Sequence, residues 1–235
     1  MDSLAAARYA AMRWNTPLSE NHAEELLDHL NLPTATNIVD LGCGWGELLL
    51  RAATRTTAKA VGIDMDPAGL DRGRRAALDR GLDVTFVEQQ AEEWQGTADR
   101  ALCIGSSHTL SGSRVMLARL AEVVPRGRVL VGDACWETPP TEAAHTIFGD
   151  DVLPLPDLVA ACGEAGWQVM HLSTADQREW DDFESRHRAG LREWLLANPS
   201  DPRAVEVRAT HDAREREYLT AYRGVLSFVY LVLAR

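Results

Sequence analysis

Cysteine is scarce in this chain and never paired at close spacing. The four cysteines, Cys43, Cys103, Cys135 and Cys162, include no C-x-x-C pair. That argues against a disulfide framework or a zinc site, so no metal is expected, and it fits buried thiols in a reducing compartment. Positive charge is also in short supply. Twenty-four Lys and Arg against 35 Asp and Glu leave a net charge of -11, and no basic patch stands out. Non-specific binding to nucleic acid or to an anionic membrane is therefore disfavoured. Long apolar runs are missing too. The longest, Val225 to Ala234, falls well short of the ~20 residues that cross a bilayer. No signal peptide opens the sequence, so a cytoplasmic protein with no membrane partner is expected. Repeats, low-complexity tracts and flexible linkers are absent, so residues 1–235 read as a single domain with helical embellishments.

What is present is a glycine turn. Ile38, Val39 and Leu41 read as the end of a buried strand, Gly42, Gly44 and Gly46 follow, and Glu47 to Ala53 reads as a helix. A glycine turn between a parallel strand and a helix lets a ligand approach the backbone closely. The spacing is G-x-G-x-G, whereas the dinucleotide fingerprint is G-x-G-x-x-G. Glu47 stands where that fingerprint would be completed, and a carboxylate there would oppose a pyrophosphate. Asp40, two residues before the first glycine, suits a cationic ligand group. A ligand with a free amine and a positive sulfur, such as S-adenosylmethionine (SAM), fits these features.

Residues 38 to 50 resemble the first signature motif of the class I SAM-dependent methyltransferases, carried by Asp40-Leu41-Gly42-Cys43-Gly44-x-Gly46 after two aliphatics. The resemblance covers residues 38 to about 135 strongly, and the remaining strands by pattern. It implies SAM as cofactor, S-adenosylhomocysteine as product, and Asp40, Leu41, Gly42, Cys43, Gly44 and Gly46 around the cofactor. It also implies an α/β, doubly wound, Rossmann-like seven-stranded sheet with the last strand antiparallel, and helical additions at the N-terminus and before the last strand. Those additions are similar to those of bacterial small-molecule methyltransferases. The GCGWG form also resembles the turn of cyclopropane-fatty-acid-type synthases.

The rest of the chain supplies the other candidates. Asp64 ends a short apolar strand close to the ~20-residue interval at which an acid meets ribose hydroxyls, and the resemblance gives Asp64 that role, with Met65 against the adenine. Asp66 before Pro67 reads as a helix cap. At the tip of the third strand the family usually carries an Asp followed by a small residue; here Gln90 and Ala91 stand there, and the amide oxygen of Gln90 can still accept from an adenine amine. The fourth strand ends at Gly105, followed by Ser106 and His108. That tip should face the reacting centre, which makes Ser106 a substrate contact and His108 a candidate general base. At the tip of the fifth strand, Asp133 and Trp136 are expected to point towards the same open edge, with Trp136 against the substrate. Thr141 to Pro156 reads as a connection long enough to cover a site.

The preface, residues 1–32, holds an expected Ala-rich helix over residues 3 to 13 and a second helix capped by Ser19. Tyr9, Arg13 and Trp14 are candidates for a lid. A helical insertion, residues 176–223, carries Trp180, Phe183, His187, Leu191 and Trp194 at helical spacing. His187 and Tyr218 are candidates for a substrate cap. Methyl transfer from a sulfonium is an in-line displacement that needs positioning and the exclusion of water more than a catalytic triad. The expectation is methylation of a small organic acceptor at O, N or C. The alternatives are a cyclopropane-type synthase on lipid alkenes and a SAM-binding protein without turnover. A nicotinamide oxidoreductase is disfavoured by the glycine spacing, while protein methylation stays open.

Overall fold

The computed structural model describes Leu4 and residues 7–235. Seven strands form one sheet: β1 (Asn37–Leu41), β2 (Lys59–Asp64), β3 (Val84–Glu88), β4 (Arg100–Ile104), β5 (Arg128–Trp136), β6 (Gln168–Thr174) and β7 (Leu226–Ala234). Their order is β3-β2-β1-β4-β5-β7-β6. Strands β1 to β5 pair in parallel, and β7 runs antiparallel to both β5 and β6. Strand order reverses between β1 and β4. In an open α/β sheet the ligand crevice lies outside the carboxyl ends of the strands at such a point.

Eight α-helices surround the sheet: α1 (Glu20–His29), α2 (Glu47–Ala53), α3 (Pro67–Asp79), α4 (Ser113–Val123), α5 (Glu142–Phe148), α6 (Leu155–Glu164), α7 (Gln177–Ala197) and α8 (Ala204–Glu217), counted among the described residues. One face of the sheet buries Leu26, Leu27 and Leu30 of α1 and Leu49 of α2 against Ile38, Leu102, Tyr230 and Val232. The other buries Met116, Leu117 and Leu120 of α4 and Leu158 of α6 against Val39, Val131, Leu231 and Leu233. Strand β7 is thus apolar on both faces, as a central strand must be. Among the described residues no helix is long and apolar enough to cross a membrane.

Two local expectations change. The helix expected over residues 3 to 13 falls partly on positions 3, 5 and 6, outside the described residues. From Tyr9 onward the chain makes turns instead, with Met12 N donating to Tyr9 O at 3.1 Å. The physical reason is competition for carbonyls: Arg72 donates to Tyr9 O and Met12 O, and Trp45 to Arg13 O, taking acceptors a helix would use. The connection expected over Thr141 to Pro156 contains α5. Thr141 caps it by accepting from Ala144 N, and Phe148 at its end packs edge-on against Trp136 and Tyr222. A helix of one or two turns gains its stability from such packing, not from propensity.

The insertion between β6 and β7 is α7, α8 and a π-helical turn, Tyr218–Tyr222. Helix α7 opens with a capping box in which Asp176 and Glu179 satisfy each other's backbone N–H.

Candidate active site

The glycine turn after β1 is closed by its own backbone: Gly42 N and Cys43 N both donate to Ile63 O at 2.9 Å. Gly42, Gly44 and Gly46 all have positive φ, a region side chains strain. Their surroundings differ. A Cβ on Gly42 would lie 2.1 Å from Ser106 Oγ, and one on Gly46 would lie 2.6 Å from the Phe86 ring. A Cβ on Gly44 would meet nothing within 4 Å. Two glycines therefore let the turn pack against the protein, and the third leaves the turn open on its outer side.

That open side borders a cavity of about 310 Å³, lined by Asp40, Gly42, Gly44, Asp64, Gly105, Ser106, His108, Tyr9, Trp14 and Thr16 among others. A second lobe of about 260 Å³ is lined by Gly42, Asp64, Met65, Gln89, Gln90, Ala91 and Thr109. The lobes share Gly42, Asp64 and Thr109, so they form one trough across the ends of β1, β2 and β4. Asp64 sits at its middle. Its Oδ2 accepts from Gly44 N at 2.6 Å and its Oδ1 from Asp66 N at 2.8 Å. Asp66 caps α3 by accepting from Ala68 N, which leaves the cap and the trough to different carboxylates. Met65 is 54% exposed, on the lobe beside Gln90. Leu41 is buried in the sheet, and Cys43 is a half-buried free thiol that lines the larger lobe.

Asp40 is buried, and no hydrogen bond to its carboxylate offsets that burial among the described residues. Burial pushes its carboxyl up to about 7, and the Asp64 carboxylate adds to the rise. A buried carboxylate facing a cavity without a counter-charge favours a cationic ligand group. SAM fits this trough: an ammonium would meet Asp40, a ribose would meet Asp64, and the open Gly44 admits close approach. Binding of S-adenosylhomocysteine is therefore expected to strengthen as pH rises through about 7, where Asp40 loses its proton in the free protein. Below that pH, binding should release a proton, read by calorimetry in two buffers of different ionisation enthalpy. The same group acts oppositely on the free protein. Its folded pKa lies above the ordinary 3.8, so its contribution to stability is full below that value and is lost as pH rises through about 7. Asp40→Asn should flatten the pH dependence of binding; an unaltered profile would remove Asp40 from the ammonium contact.

Residues 9–18 lie along one side of the trough. Trp45 Nε1 donates to Arg13 O at 2.7 Å, Arg72 donates to Met12 O at 2.6 Å and Tyr9 O at 3.2 Å, and the Arg72 guanidinium stacks 4.2 Å from the Trp45 ring. Tyr230 OH donates to Pro17 O, so Thr16 Oγ1 donates to Tyr230 OH. Trp45 and Arg72 carry no sequence signal as tethers, because their acceptors are carbonyls far away in the chain.

His108 sits in the short helical turn Ser107–Leu110 on the trough wall. The buried Asp133 accepts from Ser107 Oγ, Ser113 Oγ and Ala134 N. Asp133 therefore lies beneath the His108 turn and anchors it, not at an open edge. Ser106 is buried, with its hydroxyl 3.2 Å from Gly42 O and Ile104 O. Trp136 is 5% exposed and packed in the core against Phe148, away from the trough. Tyr218 is also buried; its OH donates to Asp181 at 2.6 Å. Neither lines the trough.

His187 is brought beside Tyr9, with ring centroids 6.3 Å apart. It lines a further cavity of about 870 Å³ between α7 and α8, together with Arg8, Leu191, Thr210, His211 and Arg214. Burial pushes His187 down to about 4, helped by the Arg214 charge. The Nδ1 atoms of His187 and His211 are buried with no hydrogen-bond partner among the described residues. Tyr9 thus lines the trough that bears Asp40 and Asp64, and its ring lies beside His187, which lines the second cavity with Arg8, His211 and Glu206.

Comparison with known proteins agrees with this geometry. Residues 38–127 match the family described as a methyltransferase domain. The protein YjhP of Escherichia coli K12 is 32% identical over 234 residues, covering 95% of this chain and 94% of that one. A SAM-dependent methyltransferase of Geobacter sulfurreducens, solved with S-adenosylhomocysteine, superposes with a TM-score of 0.88 at 30% identity, covering 100% of this chain and 99% of that one. One from Thiobacillus denitrificans, also solved with S-adenosylhomocysteine, superposes with a TM-score of 0.87 at 28% identity over the same shares.

Proposed function

The chain belongs to the SAM-dependent methyltransferases, and from that premise we propose that it methylates a small organic acceptor. The observation that carries this reading is the cavity of about 870 Å³ lined by His187, whose ring lies 6.3 Å from that of Tyr9 on the trough wall. Its volume falls in the ~300–1,000 Å³ range of small-molecule sites. Its lining sets Arg8, His187, Thr210, His211, Glu206 and Glu217 beside Leu191 and Val207, which suits a polar-substituted molecule with an apolar body. The net charge of -11 supports the same reading against nucleic acid.

Bound SAM supplies an activated methyl group. The chain's own residues would do the rest. Asp40 and Asp64 would hold the two polar ends of the cofactor. Gly44 would let the turn lie against it. Residues 9–18 would exclude water from the trough, and Tyr9 would border both partners. His108 would accept a proton from a hydroxyl or amine nucleophile. His108→Ala is then expected to leave S-adenosylhomocysteine affinity unchanged and to slow turnover by about 100-fold. A rate with the identified acceptor equal to wild type would make His108 a structural residue of the turn.

The proposal is tested by transferring labelled methyl from SAM into a fractionated cell extract. Label in the small-molecule fraction supports it and identifies the acceptor by mass. Label in lipid overturns it in favour of the cyclopropane-type reading, and label in protein or RNA in favour of macromolecular methylation. Proven SAM binding with no label in any fraction counts for a binding role without turnover.

A further inference from the structure

Away from the trough, α1 lies against the edge strand β6, and the two elements bring together Glu25, His29 and His171. Each offers one donor atom, and the three atoms lie within 4.8 Å of one another. Among the described residues this is the one group of three or more His, Cys, Asp or Glu side chains so placed. Glu25 and His29 are four residues apart on α1, which puts them on one face. His171 arrives there through an irregularity in β6. Its neighbour Val169 pairs with Leu233, and His171 with Val232, so Met170 is an extra residue in the strand. Without that bulge His171 would share the face of Leu233, away from α1. Bulges re-aim side chains in this way. The re-aimed His171 stacks on His29, with ring centroids 4.0 Å apart and planes 19° apart. Its Nε2 is buried and has no hydrogen-bond partner among the described residues.

A buried polar atom without a partner costs stability, and the stacking sets two imidazoles side by side. From this geometry we propose that Glu25, His29 and His171 bind one divalent cation of the zinc type, with solvent completing the shell. Two imidazoles and one carboxylate are a borderline-soft set that suits Zn²⁺. In a tetrahedral shell with bonds of about 2.1 Å, donors sit roughly 3.4 Å apart. Closure from the present spacing needs one imidazole to turn about χ2 so that the lone pairs converge, and both imidazoles are only half-buried. The ion would lie by the C-terminal turn of α1, at the negative end of the helix dipole, where Arg128 and Arg100 donate to His29 O and Leu30 O. It would clamp α1 to the sheet edge, remote from methyl transfer.

The test is Zn²⁺ titration of the untagged full chain against a chromophoric chelator, with Co²⁺ as a spectroscopic probe. One Zn²⁺ per chain is expected, with a rise in Tm and a visible d–d band for Co²⁺. His171→Ala and His29→Ala should each weaken binding by at least about tenfold. Glu25 is exposed, so Glu25→Gln keeps the fold intact and should weaken Zn²⁺ binding by a similar factor. Retained S-adenosylhomocysteine binding certifies that each variant is folded. Absence of saturable one-to-one binding in the wild type, or wild-type affinity in all three variants, overturns the proposal.

Discussion

Asp64→Ala is expected to weaken S-adenosylhomocysteine binding by about 1–3 kcal/mol, roughly 5- to 150-fold. Two losses combine. The carboxylate that would take the ribose hydroxyls disappears, and the Gly44 and Asp66 N–H groups lose their acceptor. The second loss loosens the open side of the glycine turn, where the ligand must approach. Asp64→Asn separates the two. It keeps an oxygen for one N–H but turns a donor towards the other, so its affinity should fall between wild type and Asp64→Ala. Calorimetry with S-adenosylhomocysteine decides, and an unchanged Kd for Asp64→Ala would remove Asp64 from the ribose contact.

Glu184→Ala is expected to lower folding stability by about 3–5 kcal/mol, the range for breaking a buried ion pair from one side. Glu184 is 1% exposed and sits at the centre of the helical insertion. It accepts from Arg214 at 2.9 and 3.0 Å, from Tyr222 OH at 3.0 Å and from Arg188 at 3.3 Å. Arg188 is itself 5% exposed, so removal of the carboxylate leaves a buried guanidinium with only its longer 3.5 Å pair to Glu215. Glu184→Leu combined with Arg188→Leu removes both charges together and should recover part of the loss. Urea denaturation of the wild type and the two variants reads the effect. A loss below about 1 kcal/mol in Glu184→Ala would mean that the pair is solvated.

The trough was legible where local chemistry carried the signal. The run Asp40 to Gly46 and the strand-end Asp64 lie where a strand, a tight turn and a helix follow one another, so spacing alone places them on one crevice. Asp66 and Ser19 were legible as caps for the same reason. What escaped the sequence depends on partners distant in the chain. Trp136 and Tyr218 look like substrate aromatics, but an aromatic at a strand end or on a helix faces the core as readily as a cavity, and here both do. Glu184 and Arg188 carry no signal of burial in the sequence, because burial of a charged pair shows only when α8 and the π-helical turn bring Arg214 and Tyr222 to it. The absence of C-x-x-C spacing excluded a local metal motif. It could say nothing of His29 and His171, which a strand bulge brings together.

The segment over the trough is fastened by main-chain oxygens: Tyr9 O and Met12 O to Arg72, and Arg13 O to Trp45. Every residue type carries such an oxygen. Substitution at position 9 or 13, whose side chains line the trough, therefore alters what the strap presents to a guest molecule while its moorings stay the same. The selectivity of the enclosure and the dwell time of what it holds become separately adjustable. The first is set by side chains on the strap, and the second by one arginine and one tryptophan beneath it.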